Sequence, residues 1–216
     1  MKYVIMCGGK YSAFKEPKAL SIVNGEPLVK RTIRLLRDNG VDEIYITSND
    51  KRFDGYGVQR LEHENSFVEN GSETTGYWLD AFYPHFEADN QVCYLFGDVY
   101  FTDDAIKRIV NFKTDKDILF GTSAAKNPQH KNWGEPFAYI VNDYAGFMNG
   151  VNAVKELYDS GKTARHPIVW ELYRYLNGLD VNIQDVLDET FVCIDDGTMD
   201  IDSPEQIEKM NKEFKR

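Results

Sequence analysis

Between Lys2 and Ser48 the hydrophobic period of the chain changes twice, and that alternation restricts the fold more than any other feature. KYVIMC (2–7) is apolar almost throughout, as a strand buried on both faces must be. PLVKRTIRLLRDNG then places Leu28, Val29, Ile33, Leu35 and Leu36 on one broad helical face. Arg34 and Arg37 lie toward its C-terminal end and Gly40 just past its stop. Pro27, after Asn24-Gly25-Glu26, suits the first helical turn. EIYITS (43–48) returns to a strand pattern. Strand, helix and strand at this spacing form a βαβ unit, whose crossover is right-handed and whose strands run parallel.

The same alternation continues, less regularly. Residues 49–73 are polar with scattered glycines and one short extended piece, VQRL. A helix is expected from about Thr75 to Phe86, with Trp78, Leu79, Phe82 and Phe86 on one side. VCYLF (92–96) and DILFG (117–121) read as buried strands on either side of a helix, DDAIKRIVNF (103–112), with an acidic first turn. After an irregular polar segment, 122–135, PFAYIV (136–141) is extended again. Helices are expected at about 144–158 and 167–177, and FVCI (191–194) is a late strand. In SPEQIEKM, Ser203, Pro204 and Gln206 make a capping box for a last helix. The expectation is one α/β domain over 1–216, with about 122–190 supplying a lid or wall for a second substrate.

Three places could carry chemistry. The first strand runs out into Gly8-Gly9, where the backbone can approach a ligand closely and aim N–H groups at an anion, and Pro17-Lys18 follows nine residues later. Neither a P-loop nor a GxGxxG spacing is present. Without a ligand this is a tight turn beside a surface lysine. Asp98 stands where VCYLF leaves the sheet through Gly97, at the strand end where open α/β sheets bind ligands. A carboxylate there can hold Mg²⁺ or cap a turn, although Asp103 and Asp104 already offer a cap for the next helix. Finally, Asp200 and Asp202 flank Ile201. In extended backbone both face one way, and two such carboxylates repel unless a cation or proton joins them. Asp202 could instead cap the last helix. Asp195 and Asp196 rank below this pair.

Together these stretches, CGGK, PKAL, NGEPLVKRTIRLLRDNGVDEIYI, LFGDVYF and DIDSPEQIE, resemble the nucleotidyltransferases of GT-A-like fold, which make NDP-sugars and CDP-alcohols. The likeness is strongest through about residue 105 and returns in the last twenty residues. Small phosphocholine-type cytidylyltransferases look most similar in length and closing motif. The resemblance implies a three-layer α/β/α, Rossmann-like, mostly parallel sheet. It implies that Cys7, Gly8, Gly9 and Lys10 lie against the nucleotide, with Gly71 and Ser72 at its base. It further implies that Lys18 reaches the phosphates and that Asp98, Asp200 and Asp202 hold Mg²⁺, Lys18 and Asp98 being the catalytic pair. Lys10, Tyr11 and Ser12 stand where the family pattern has Gly-x-Arg, so the triphosphate clamp would pass to Lys10 or Lys15. CTP is the first nucleotide expected and UTP the second.

The acceptor would be a phosphorylated small molecule, for surface-polymer or activated-precursor synthesis. Trp133 and Glu135 could recognise a cationic or amino-bearing one, unless Trp133 is simply a loop anchor. Lys162, Arg165 and His166 could hold its phosphate, unless they are a solvated loop. Trp170, Tyr173 and Tyr175 read as helical core. A phosphate acceptor is already an anion, so the absence of any Ser-His-Asp or Cys-His arrangement fits the reaction.

Charge and cysteine usage narrow the remaining classes. The formal net charge of −10 disfavours nucleic-acid binding, which needs a basic face. No run approaches the roughly 18–20 apolar residues of a membrane span, and the N-terminal apolar run reads as a strand rather than a secretory signal. Cys7, Cys93 and Cys193 are an odd set in apolar segments, as expected of buried thiols in a cytoplasmic protein. The four histidines show no ligand spacing. Two alternatives stay open: a glycosyltransferase of the same fold using Asp98 with a metal, and a nucleotide-binding regulatory protein without catalysis. A homodimer also stays open.

Overall fold

The structure, a computed structural model, describes residues 1–11, 13–70, 73–126 and 134–213, with the backbone alone for Lys10 and Tyr11. Seven strands form one sheet: β1 (Lys2–Met6), β2 (Ile44–Thr47), β3 (Gln59–Leu61), β4 (Val92–Phe96), β5 (Ile118–Gly121), β6 (Pro136–Val141) and β7 (Phe191–Cys193). Their spatial order is β7-β5-β6-β4-β1-β2-β3. β1 is parallel to both β2 and β4, β2 to β3, and β5 to β7, whereas β6 runs antiparallel between β4 and β5. The mostly parallel sheet expected from the βαβ pattern is therefore present. The reversed strand was not legible, because an apolar run such as PFAYIV carries no direction.

Helices α1 (Leu28–Asp38), α2 (Asp103–Asn111), α3 (Tyr144–Asp159) and α4 (Val169–Leu176) flank the sheet, α1 packing with α2 and α3 with α4. The last helix, α5 (Pro204–Glu213), packs beside the short strand Ile22–Val23. α1 buries Leu28, Val29, Ile33, Leu35 and Leu36, the face the sequence marks. It stops where expected: Gly40, at φ +79°, donates to Arg37 O while Val41 donates to Leu36 O, the paired bonds of a Schellman cap. Pro27 lies one residue outside α1 rather than in its first turn. Asn24 (φ 51°) and Gly25 (φ 83°) make a primed hairpin turn between Ile22–Val23 and Glu26–Pro27, which holds Pro27 in extended backbone. Aromatic rings fill the core, with Phe82 edge-on to Tyr94 at 5.0 Å and to Phe147 at 4.9 Å. Among the described residues no helix is long and apolar enough to cross a membrane.

The helix expected from Thr75 to Phe86 is not there. The stretch continues a strand, Glu73–Thr75, turns at Gly76 (φ +71°), and makes a single 3-10 turn over Trp78–Ala81. Gly76 is forced: a Cβ there would lie 2.1 Å from Ser66 O. Phe82 leaves this turn in extended backbone, and Pro84 removes a backbone donor and disfavours helical backbone at Tyr83, so no helix propagates.

Gly97 is the second forced glycine. It donates to Met6 O at 3.1 Å, and a Cβ would come within 2.3 Å of that same oxygen. Gly97→Ala must therefore push β4 away from β1 at the strand end that carries Asp98. Its expected cost is about 2 kcal/mol, the usual range for overpacking, or roughly 4–8 °C in Tm for a chain this size. A melting curve matching wild type would contradict that reading.

Candidate active site

Because β1 and β4 are neighbours, Gly8-Gly9 and Gly97-Asp98 leave the sheet side by side at its carboxyl edge. PKAL brings Lys18 to the same place. Pro17 is extended and starts a 3-10 turn, Lys18–Leu20, in which Ala19 and Leu20 enter the core. Those two anchors leave Lys18 running through the wall of the cleft, 6% exposed. Its Nζ lies 3.4 Å from Asp98 Oδ2 and 3.4 Å from Asp202 Oδ1.

The two tail carboxylates arrive by a short antiparallel pairing of Val99–Tyr100 with Met199–Asp200, extended by Ile201 N–H donating to Asp98 O at 3.0 Å. Ile201 is fully buried against Val23, Leu28, Tyr100 and Met210, so the chain is fixed with Asp200 and Asp202 turned toward Lys18. Asp202 does not cap α5. Ser203 Oγ accepts from Gln206 N–H, and Gln206 Oε1 accepts from Ser203 N–H at 2.8 Å, the capping box the sequence marks. Asp103 and Asp104 do not cap α2 either: Thr102 Oγ1 accepts from Ala105 N–H, and Asp103 pairs with Arg31 at 2.8 Å. Asp195 and Asp196 are tied to Ser123 N–H and Thr102 Oγ1 and hold the tail loop.

The charges act on one another. Burial opposes the Lys18 ammonium, but Asp98, Asp200 and Asp202 outweigh it and hold its pKa above the ordinary lysine value. Burial, then repulsion from Asp98, raises the Asp200 carboxyl well above the usual range, with Lys18 pulling the other way. Asp200 Oδ1 is buried without a hydrogen-bond partner among the described residues. Glu135, exposed at the rim, is raised by loss of hydration on its cleft side and by Asp202 and Asp98.

Two open clefts meet over these groups. One, of about 500 Å³, lies on Cys7, Gly8, Gly9, Pro17 and Asn65. The other, of about 1050 Å³, is bounded by Glu135, Arg165, Trp170, Asp200 and Asp202. Lys18, Asp98, Phe67, Trp78 and Phe96 line both. Cys7 is buried, its thiol held well above the ordinary range by burial, and Gly8 packs against Asn65. Lys15 is exposed and lines neither cleft. Gly71, Ser72 and Trp133 lie outside the described residues, as does the side chain of Lys10. Asn65, Phe67 and Trp78 are cleft residues that sequence reasoning missed. The first two sit in a polar stretch with no period, and Trp78 reads as a core position once a helix is assumed.

Arg165 and His166, adjacent in sequence, separate. Arg165 reaches the larger cleft. His166 lies behind Trp78, its Nε2 accepting from Trp78 N–H at 3.2 Å and its ring 5.3 Å from Phe67. Burial pushes this imidazole below the usual histidine range, against Glu171. The stability it contributes is therefore present above the unfolded histidine value, about 6.5, and is lost as pH falls. Between pH 7.5 and 5.5 the Tm of His166→Asn should therefore fall less than that of wild type. Equal losses would remove this role.

At the carboxyl edge of a mostly parallel sheet, such an arrangement belongs to the α/β proteins that take their ligands at strand ends. The class narrows to a family on comparison: residues 3–159 match the MobA-like NTP transferase domain, and the chain belongs to that family of nucleotidyltransferases. Among solved structures it is similar to a protein described as a glucose-1-phosphate thymidylyltransferase of Bacillus anthracis, in complex with sucrose. The TM-score is 0.65 at 15% identity, covering 99% of this chain and 95% of that one. It is also similar to the CTP:phosphocholine cytidylyltransferase of Streptococcus pneumoniae, with a TM-score of 0.53 at 17% identity, covering 98% and 97%. The fold is the GT-A-like, three-layer α/β/α arrangement.

Proposed function

We propose that the protein transfers a nucleoside monophosphate from a triphosphate, CTP first and UTP second, to a phosphorylated small molecule, and that pyrophosphate leaves. One observation carries this reading: a buried lysine ammonium set 3.4 Å from carboxylates of two different strand ends, beside the glycine pair of β1. The nucleotide lies on Cys7, Gly8 and Gly9, where a side chain at position 8 would crowd Asn65. Its phosphates reach Lys18. An acceptor phosphate oxygen attacks the α-phosphorus, the bond to the bridging oxygen of the β-phosphate breaks, and Lys18 neutralises charge gathering on the α-phosphate oxygens. The attacking oxygen is already anionic, so no protein base is required.

Among the described residues no three acidic, histidine or cysteine side chains form a ready-made metal cage. Mg²⁺ does not need one, since it is held by one or two carboxylates plus substrate phosphates. Asp200 Oδ1, buried beside Asp98 and without a partner among the described residues, fits that requirement, with Asp202 at the rim. When bound there, the ion would supply Lewis-acid neutralisation of the phosphate charge.

The larger cleft, with walls from 122–190 and from the tail, takes the acceptor. Arg165 meets its phosphate. Glu69, and Glu135 within the field of Asp98 and Asp202, make the cleft walls acidic, and with Trp78 and Trp170 they favour an amino-bearing or cationic group on the acceptor. Trp133 joins them in this reading. Pyrophosphate release with Mg²⁺ tests it, offering CTP, UTP, GTP and ATP against phosphocholine, phosphoethanolamine and glucose 1-phosphate. Release confined to one nucleotide and one acceptor is expected. Silence with every pair, the protein folded throughout, would overturn it.

A further inference from the structure

Glu171 sits in the first turn of α4, 1% exposed, and both its oxygens are engaged. Oε2 accepts from Ile168 N–H at 2.9 Å and closes the start of the helix. Oε1 accepts from Arg165 Nε at 2.8 Å and from Arg174 Nη1 at 3.4 Å. Two guanidiniums thus share one carboxylate. They differ in where they lead. Arg174 is 1% exposed and turns inward, donating also to Val181 O at 2.8 Å. Arg165 keeps 37% of its side chain exposed and lines the acceptor cleft beside Ile168 and Trp170.

Closing the first turn from N3 needs one neutral acceptor, which a glutamine supplies without burying a charge. A buried carboxylate is costly unless cations meet it at good geometry. What the carboxylate adds here is a hold on Arg165. A free arginine loses much side-chain freedom when it binds an anion. One held at Nε has already lost much of it, and the side chain so held lines the cleft. We infer that Glu171 is a positioning residue for the acceptor: through Arg165 Nε it sets the guanidinium to meet the acceptor's anionic group, without touching substrate itself. This rests on the proposed assignment of the larger cleft to the acceptor.

The test is a kinetic cycle of wild type, Glu171→Gln, Arg165→Gln and the double variant, using CTP and whichever of phosphocholine, phosphoethanolamine or glucose 1-phosphate turns over fastest. Glutamine keeps the shape and an acceptor oxygen for Ile168 N–H but loses the charge. Glu171→Gln should raise the acceptor KM about tenfold and leave kcat and the CTP KM within twofold. The double variant should be no worse than Arg165→Gln alone. Equal effects on both KM values, or additive effects in the double variant, would reduce Glu171 to a helix-stabilising residue and overturn the inference. If Arg165→Gln leaves the acceptor KM unchanged while turnover persists, the cleft assignment has failed, and the inference with it. Should Glu171→Gln not fold, Arg165→Lys asks the same question from the exposed side. It keeps the charge but lacks the Nε–H that Glu171 holds, so a tenfold higher acceptor KM at unchanged Tm supports the pinning and an unchanged KM overturns it. If no pair turns over, the transfer reading falls, and isothermal titration with inorganic phosphate decides the positioning role separately. Tenfold weaker binding in both single variants supports it, and unchanged binding in Glu171→Gln overturns it.

Discussion

Replacing Lys18 with alanine should lower kcat for pyrophosphate release by about a thousandfold, with a smaller effect on the nucleotide KM. The size follows from what the ammonium does. Loss of one preorganised group that neutralises developing charge in a water-poor site costs roughly 3–4 kcal/mol, and each 1.36 kcal/mol is tenfold. Lys18 meets that description, being 6% exposed with its Nζ between Asp98 and Asp202. The charge it leaves behind worsens the loss. Asp98, Asp200 and Asp202 then face one another without their shared cation, and Asp200, already raised well above the usual carboxylate range, takes up a proton more readily still. Lys18→Arg should not rescue activity, because a larger planar fork would have to replace a point charge on a side chain that is only 6% exposed. Stopped-flow release of pyrophosphate from the wild type and both variants would check this, and a Lys18→Ala enzyme within tenfold of wild type would remove Lys18 from the mechanism.

Asp98→Asn should cost about a hundredfold or more in kcat and shift half-saturation by Mg²⁺ to higher concentration by about tenfold, as expected when a group holding a charge-neutralising ion loses its own charge. Asparagine preserves shape, and the Asp98 backbone oxygen that accepts from Ile201 N–H is untouched, so the fold should remain. The variant also relieves Asp200, whose carboxyl is raised by burial and then by repulsion from Asp98. Release rates measured across a Mg²⁺ titration distinguish the two roles of Asp98. A lower rate with unchanged Mg²⁺ dependence would leave Asp98 as the partner of Lys18 and not as an ion ligand.

Much of this arrangement can be read from residues alone, for local reasons. KYVIMC and VCYLF are too uniformly apolar to be anything but buried strands, so Gly8-Gly9 and Asp98 must stand at strand ends. Ile201 between two aspartates announces a chain with one face in the core, and Ser203 with Gln206 marks where the helix takes over. What escaped depends on contacts distant in sequence. The direction of β6 is set by its neighbours β4 and β5. The apolar residues of 78–86 keep a helical spacing, but Gly76 and Pro84 override it, and Trp78 is delivered to the cleft by a 3-10 turn instead. His166 looked like part of a basic cluster because its partner, a backbone N–H 88 positions away, leaves no trace in the local sequence.

The short pairing of Val99–Tyr100 with Met199–Asp200 has a consequence for the order in which the molecule becomes competent. Lys18 and Asp202 are 184 positions apart, and the contact between them closes one of the longest loops the chain contains. Such contacts form late, because the entropy of closing a long loop must be overcome before they return anything. β1, β2 and β4 can assemble, with Lys18 and Asp98 already facing each other, while the tail is still free. A partly folded or still-growing chain therefore displays the glycine turn and the lysine without the carboxylates of the last strand. If the proposed transfer needs those carboxylates, a folding intermediate would hold no working site with which to consume nucleotide.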